Sequence, residues 1–227
     1  LDDGPDHGMP LGGFGAGCLG RSSSGTFNLW NLDGGEHWFG SIPDCQFALW
    51  EQQGEDVRAH ALATAPDRDD TDPSGGTPLS AWQWYPASTQ GRSTGTYAAR
   101  YPLSWTHHED VYRAGVLCEA FSPILPGDYQ RTSYPVAVFR WQFSNPTDQP
   151  LELSLMLCWR NTVGWFTNTD AAAEVHFRDD GSPEHNYAPA IGRGEGQRNR
   201  QVDQPGLSGV LLEGQTSTPL AEGEGQW

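Results

Sequence analysis

None of the 227 residues is lysine, so every basic side chain is arginine, and the formal charge reaches -16. That absence removes Schiff-base chemistry, which needs a side-chain amine. It also removes the lysine that grips phosphate in kinase-type and Walker loops. The acidic surplus repels nucleic-acid phosphate and anionic lipid, so neither is expected as a partner. No apolar run is long enough to span a bilayer, no signal peptide is recognisable, and Asn145, which opens the chain's single N-x-S/T pattern, is followed by Pro146. A soluble cytoplasmic chain without a membrane span is the expectation. Metal-ligand spacing is missing too: Cys18, Cys45, Cys118 and Cys158 form no C-x-x-C, and the seven histidines form no H-E-x-x-H. Free buried thiols, no metal and no cofactor are expected. The serines lack a G-x-S-x-G elbow, so no nucleophilic triad is signalled.

What the chain has instead is aromatic mass and turn formers. Ten tryptophans, nine phenylalanines and seven tyrosines supply burial that aliphatic residues elsewhere provide, while 28 glycines and 17 prolines break the chain into short pieces. Few stretches carry a helical period. This composition predicts an all-β fold, a two-sheet antiparallel β-sandwich, with residues 1–227 as a single domain. The clearest strands lie in "YPVAVFRWQFSNPTDQPLELSLMLCWRN". There Ala137, Phe139, Trp141 and Phe143 share one face, and after a turn-rich "SNPTDQP" Leu151, Leu153, Leu155 and Leu157 share another. Two antiparallel strands with one apolar face each make a sandwich layer. Acidic, turn-rich segments at 66–80 and 178–206 are expected as exposed loops. The chain ends on Trp227 just after an acidic turn, where a further strand is expected, so the domain reads as cut there and its partner strands as following.

The stretch Gly15-Ala16-Gly17-Cys18-Leu19-Gly20 spells G-x-G-x-x-G, the fingerprint of dinucleotide loops. A nucleotide reading needs an apolar strand before it and a helix after it. Upstream "LDDGPDHGMPLG" is polar and turn-rich, and downstream "RSSSGTFNLWNLDGGEHWFG" has no helical period. The glycines are therefore read as backbone permissiveness in tight strand connections.

Glycoside cleavage requires two carboxylates flanking one bond. The richest setting is "NLDGGEHWFG", where Asp33 and Glu36 sit among Trp30, His37 and Trp38. Aromatic faces pack on the C–H faces of sugar rings, which makes Trp30, Asn31, His37 and Trp38 candidates for a wall of a substrate entrance. The competing reading makes both tryptophans core side chains and Asp33 a turn residue. Arg160 and Asn161, at the end of the strongest strand, suit either ligand recognition or an interface with a neighbouring domain.

Taken together, "GMPLGGFGAGCLGRSSSGTFNLWNLDGGEHWF", "CQFALWEQ", "YAARYPLSW", "FSPILPGDYQRTSYPVAVFRWQFSNPTDQPLELSLMLCWRN" and the final "GEGQW" resemble the N-terminal domain of the non-lysosomal glucosylceramidase family of β-glucosidases, glycoside hydrolase family 116. The resemblance implies a β-sandwich followed by a helical (α/α) catalytic domain as partner, acting together as a retaining β-glucosidase on β-glucosides. It also implies that the nucleophile and the acid/base lie in the helical domain, so no catalytic residue is assigned in this chain. A non-catalytic carbohydrate-binding or structural sandwich is the alternative.

Overall fold

The computed structural model describes residues 8–31, 38–65, 83–163, 174–177, 179–181, 183–186 and 195–215. The regular secondary structure of the described residues is almost entirely antiparallel strand, as the composition predicts. In order these are β1 (Met9–Leu11), β2 (Cys18–Arg21), β3 (Phe27–Asn31), β4 (Trp38–Phe39), β5 (Gln46–Gln53) and β6 (Asp56–Ala61). Next come β7 (Ser88–Thr89), β8 (Arg92–Ser93), β9 (Gly95–Arg100), β10 (Leu103–His108) and β11 (Gly115–Phe121). A single turn of helix, α1 (Tyr129–Thr132), precedes β12 (Val138–Ser144) and β13 (Glu152–Cys158). The last four are β14 (Glu174–Phe177), β15 (Pro183–Asn186), β16 (Glu195–Gln204) and β17 (Leu207–Gln215).

The chain falls into two compact units, residues 1–30 with 39–160 and residues 31–38 with 161–227. In the first, three sheets run β1-β2-β3-β4, β12-β11-β10-β9 and β13-β5-β6. Their shared core is aromatic. Phe47 on β5 meets Phe139 and Trp141 on β12 at ring-centroid distances of 5.1 and 5.0 Å, which joins two sheets face to face. Phe27 on β3 closes the group, edge-on to Phe139 at 5.7 Å and to Trp159 at 5.0 Å. Edge-to-face pairs of this kind gain beyond their area burial because a ring's positive edge meets a negative face.

The two strongest strands of the sequence do not pair with each other. β12 hydrogen-bonds to β11, with Trp141 opposite Cys118, and β13 hydrogen-bonds to β5, with Leu155 opposite Leu49. The "SNPTDQP" turn thus carries the chain from one sheet to the next. Its rigidity is local: Asn145 Nδ2 donates to Gln149 O at 2.7 Å and Thr147 N donates to Asn145 Oδ1 at 2.9 Å. β13 lies at a sheet edge, and Leu155 and Leu157, expected inside, remain partly exposed although their partners Leu49 and Phe47 are buried.

In the second unit β16 pairs with β17 and β14 with β15. Residues 178–206, expected as a loop, therefore contain β15 and the ten-residue β16. Polar and charged residues along "GQRNRQ" hide no face from water, so the sequence shows no alternation there, yet backbone pairing with β17 is satisfied all the same. The expected loop at 66–80 lies outside the described residues.

Candidate functional site

Residues 13–17 form the turn between β1 and β2, and strand follows the glycines where a nucleotide loop has a helix. Gly13 is needed for contact. A Cβ there would lie 2.3 Å from Tyr134 O, and the next residue, Phe14, donates its N–H to Thr132 O at 2.9 Å. The loop is thereby stitched to the end of α1 and the residues just after it, the backbone approach that the glycine content implies.

Trp30 is fully enclosed. Its indole Nε1 donates to Gly40 O at 2.8 Å and its ring packs 5.6 Å from Trp159 and 6.4 Å from Phe27. A ring with no face toward solvent cannot stack on a sugar, so Trp30 leaves the entrance wall and joins the core. Asn31 is also buried, at the end of β3. Trp38 is half-buried in β4 beside the exposed Phe39, which keeps part of an aromatic edge in contact with solvent. His37, with Asp33 and Glu36, lies outside the described residues.

Arg160 and Asn161 both hold parts of the chain together. Arg160 forms an ion pair with Asp44, and Asn161 Nδ2 donates to Glu213 O at 2.8 Å, Arg198 O at 3.2 Å and Asn199 Oδ1 at 3.1 Å. The amide of Asn161 therefore bridges the two strands of the β16–β17 hairpin.

Sequence reasoning missed Glu51. It is fully buried on β5 and accepts from Arg113 N at 3.0 Å and Ala114 N at 2.8 Å, with the Arg113 guanidinium 3.6 Å away. Arg113 also pairs with Asp56, which holds that carboxyl below the usual range. A carboxylate saturated by backbone N–H groups and a cation is a structural tie, because its lone pairs are already occupied. No sequence signal marked it: Glu51 lies in "LWEQQ", where an outward-facing reading is equally natural.

Cavities of two kinds occur among the described residues. One, of about 550 Å³, lies on the outer face of β13-β5-β6 and is lined by Ala48, Trp50, Ala59, Ala61, Ser154 and Met156. Cross-strand register puts Met156 beside Ala48 and Ala48 beside Ala61, so small residues floor a shallow groove with Trp50 along it. The other, of about 260 Å³, is bounded by hydroxyl side chains of Ser24, Thr94 and Thr106 together with Tyr85 and His108. Neither is lined by an Asp or Glu, and glycoside hydrolysis needs two.

Two of the thiols, Cys45 and Cys118, are poorly suited as nucleophiles. Burial pushes Cys45 up to about 12 and Cys118 up to about 11, and all four cysteines are free. No group of three or more metal-ligating side chains occurs among the described residues, and none of their helices is long and apolar enough to cross a membrane. Over residues 8–227 the chain matches the family model described as beta-glucosidase 2, glycosyl-hydrolase family 116 N-term.

Proposed function

The chain belongs to glycosyl-hydrolase family 116 as its N-terminal domain, and on that premise we propose that it is the non-catalytic β-sandwich of a retaining β-glucosidase. Family membership implies a companion catalytic domain in the full-length protein. The observation that carries the reading is that neither cavity is lined by a carboxylate, while four carboxylates elsewhere in the fold are tied to arginines. Glu51 is held by Arg113, Glu119 by Arg140, Asp44 by Arg160 and Asp128 by Arg131. Retaining cleavage needs two carboxylates facing one bond, and neither cavity supplies such a pair.

In the complete enzyme a helical domain supplies the nucleophile and the acid/base. A β-glucoside is cleaved by double displacement: the nucleophile forms a glucosyl-enzyme as the acid protonates the leaving oxygen, and water then releases glucose with configuration retained. This chain contributes the rigid support, and Trp38 contributes the remaining aromatic edge of the substrate entrance. The cytoplasm is the compartment that fits its free thiols.

Hydrolysis of a chromogenic β-glucoside, compared between this chain and the full-length protein, tests the reading. Turnover by the full-length protein alone, giving β-glucose as first product in a proton NMR time course, is the expected result. Turnover by the chain alone places the chemistry here and ends the proposal; α-glucose as first product removes the retaining mechanism.

A further inference from the structure

Arg21, on β2, is a buried cation with 5% of its surface exposed. Apart from the exposed Arg100, every other described arginine meets a carboxylate. Arg21 meets none among the described residues. Its Nη2 donates to Leu62 O at 2.8 Å and its Nη1 reaches Thr106 Oγ1 at 3.5 Å, while Nε has no acceptor. The rings of Phe47 and Trp141 lie 5.8 Å from its guanidinium carbon, and their faces offset part of the charge. A guanidinium taken from water without a counter-charge remains costly all the same.

The hydroxyl-lined cavity adjoins this cation. Leu62 and Thr106, the two groups that hold Arg21, form part of its wall, as does Gly25, whose Cβ, were it present, would stand 3.1 Å from Arg21 Nη2. Ser24 and His108 complete that side. Two more buried nitrogens nearby lack partners: His108 Nε2 and Trp141 Nε1, on rings stacked 6.0 Å apart. Thr106 and His108 thus line a space of about 260 Å³ that no carboxylate enters, with Arg21 and Trp141 one layer behind them.

We propose that this cavity binds a small oxyanion, held by the hydroxyls of Thr106 and Ser24 over the Arg21 guanidinium. Thr106 is the relay: its oxygen receives the Arg21 N–H and its own proton points on to the anion. An oxyanion fits better than a halide because it presents several acceptor oxygens to several donors and fills more of the space.

Titration calorimetry of the 227-residue chain with inorganic phosphate, at fixed ionic strength, tests the site, with ring nitrogen shifts of His108 followed by NMR. Saturable binding that moves the His108 resonances is expected. Thr106→Val should weaken it at least fivefold while the near-ultraviolet circular dichroism stays unchanged, and Arg21→Met should abolish it. Because Arg21→Met removes a core side chain and its fold can fail, the Thr106 variant carries the decision. The proposal is overturned by absence of saturable binding, by Thr106→Val binding within twofold of the unsubstituted chain, or by an equal response to sodium chloride, which reports screening alone.

Discussion

At the scale of single residues, burial decides between roles that sequence leaves open. Trp30 and Trp38 sit eight positions apart in one aromatic stretch, and nothing in their spacing ranks them. The fold makes Trp30 a core ring and leaves Trp38 partly in solvent. Trp30→Ala is accordingly expected to destabilise the chain by about 3–5 kcal/mol in urea unfolding, from lost transfer energy plus a cavity. Trp38→Ala in the full-length enzyme should leave stability within about 1 kcal/mol and raise KM for aryl β-glucosides with kcat little changed; unaltered KM removes Trp38 from the entrance. Glu51 shows the same logic for charge. Glu51→Gln weakens the backbone N–H bonds of Arg113 and Ala114 and strips the buried pair of its anion, an expected loss of about 3 kcal/mol. By contrast Arg198→Ala, which breaks the exposed pair with Glu213, should change stability by about 0.5 kcal/mol or less in the same assay.

Whole elements raise a different problem, because an edge strand has a side with no partner. β13 reads as a core strand from its leucines, and its register against β5 supports that for one face. At the sheet edge, however, Leu155, Met156 and Leu157 keep 39, 50 and 51% of their surface exposed, so an apolar stretch of the strand stays wet. Such an edge is a template for further pairing. Met156→Lys should therefore reduce concentration-dependent association in sedimentation velocity with little change in unfolding midpoint; identical sedimentation of both chains would show that the edge is not adhesive. β16 and β17 depend on Asn161 instead of on a buried face. Asn161→Ala should speed amide exchange across Glu195–Gln215 while leaving Gln46–Ala61 unchanged, since its side chain holds carbonyls of both hairpin strands.

For the whole molecule, the aromatic interior sets the response to acid. His108 is buried on β10 against Trp141 and Tyr85, with Arg21 and His107 as its charged or titratable neighbours, and burial first, then the Arg21 charge, brings it down to about 3. The unfolded chain takes up this proton near pH 6.5 and the folded chain does not until about pH 3. Stability from this group is therefore complete above pH 6.5 and is lost as pH falls below it, at up to about 1.4 kcal/mol per pH unit. His60, lowered by burial and by Arg58, adds in the same direction. Unfolding free energies measured between pH 7 and 4 should show that slope reduced in His108→Phe; an unchanged slope would show that His108 is already charged in the folded state. The fold class and the family were legible from residue order alone, because period-two alternation, glycine turns and motifs such as "PLGGFGAGCLGR" are local and survive without coordinates. Free thiols without metal spacing were legible for the same reason. Only the tertiary structure decided which sheet each strand joins, which of two tryptophans is enclosed, that Glu51 closes on Arg113 sixty-two positions away, and that Arg21 is buried without a carboxylate. Those are consequences of contact between segments distant along the chain, and contact of that kind leaves no period or spacing to read.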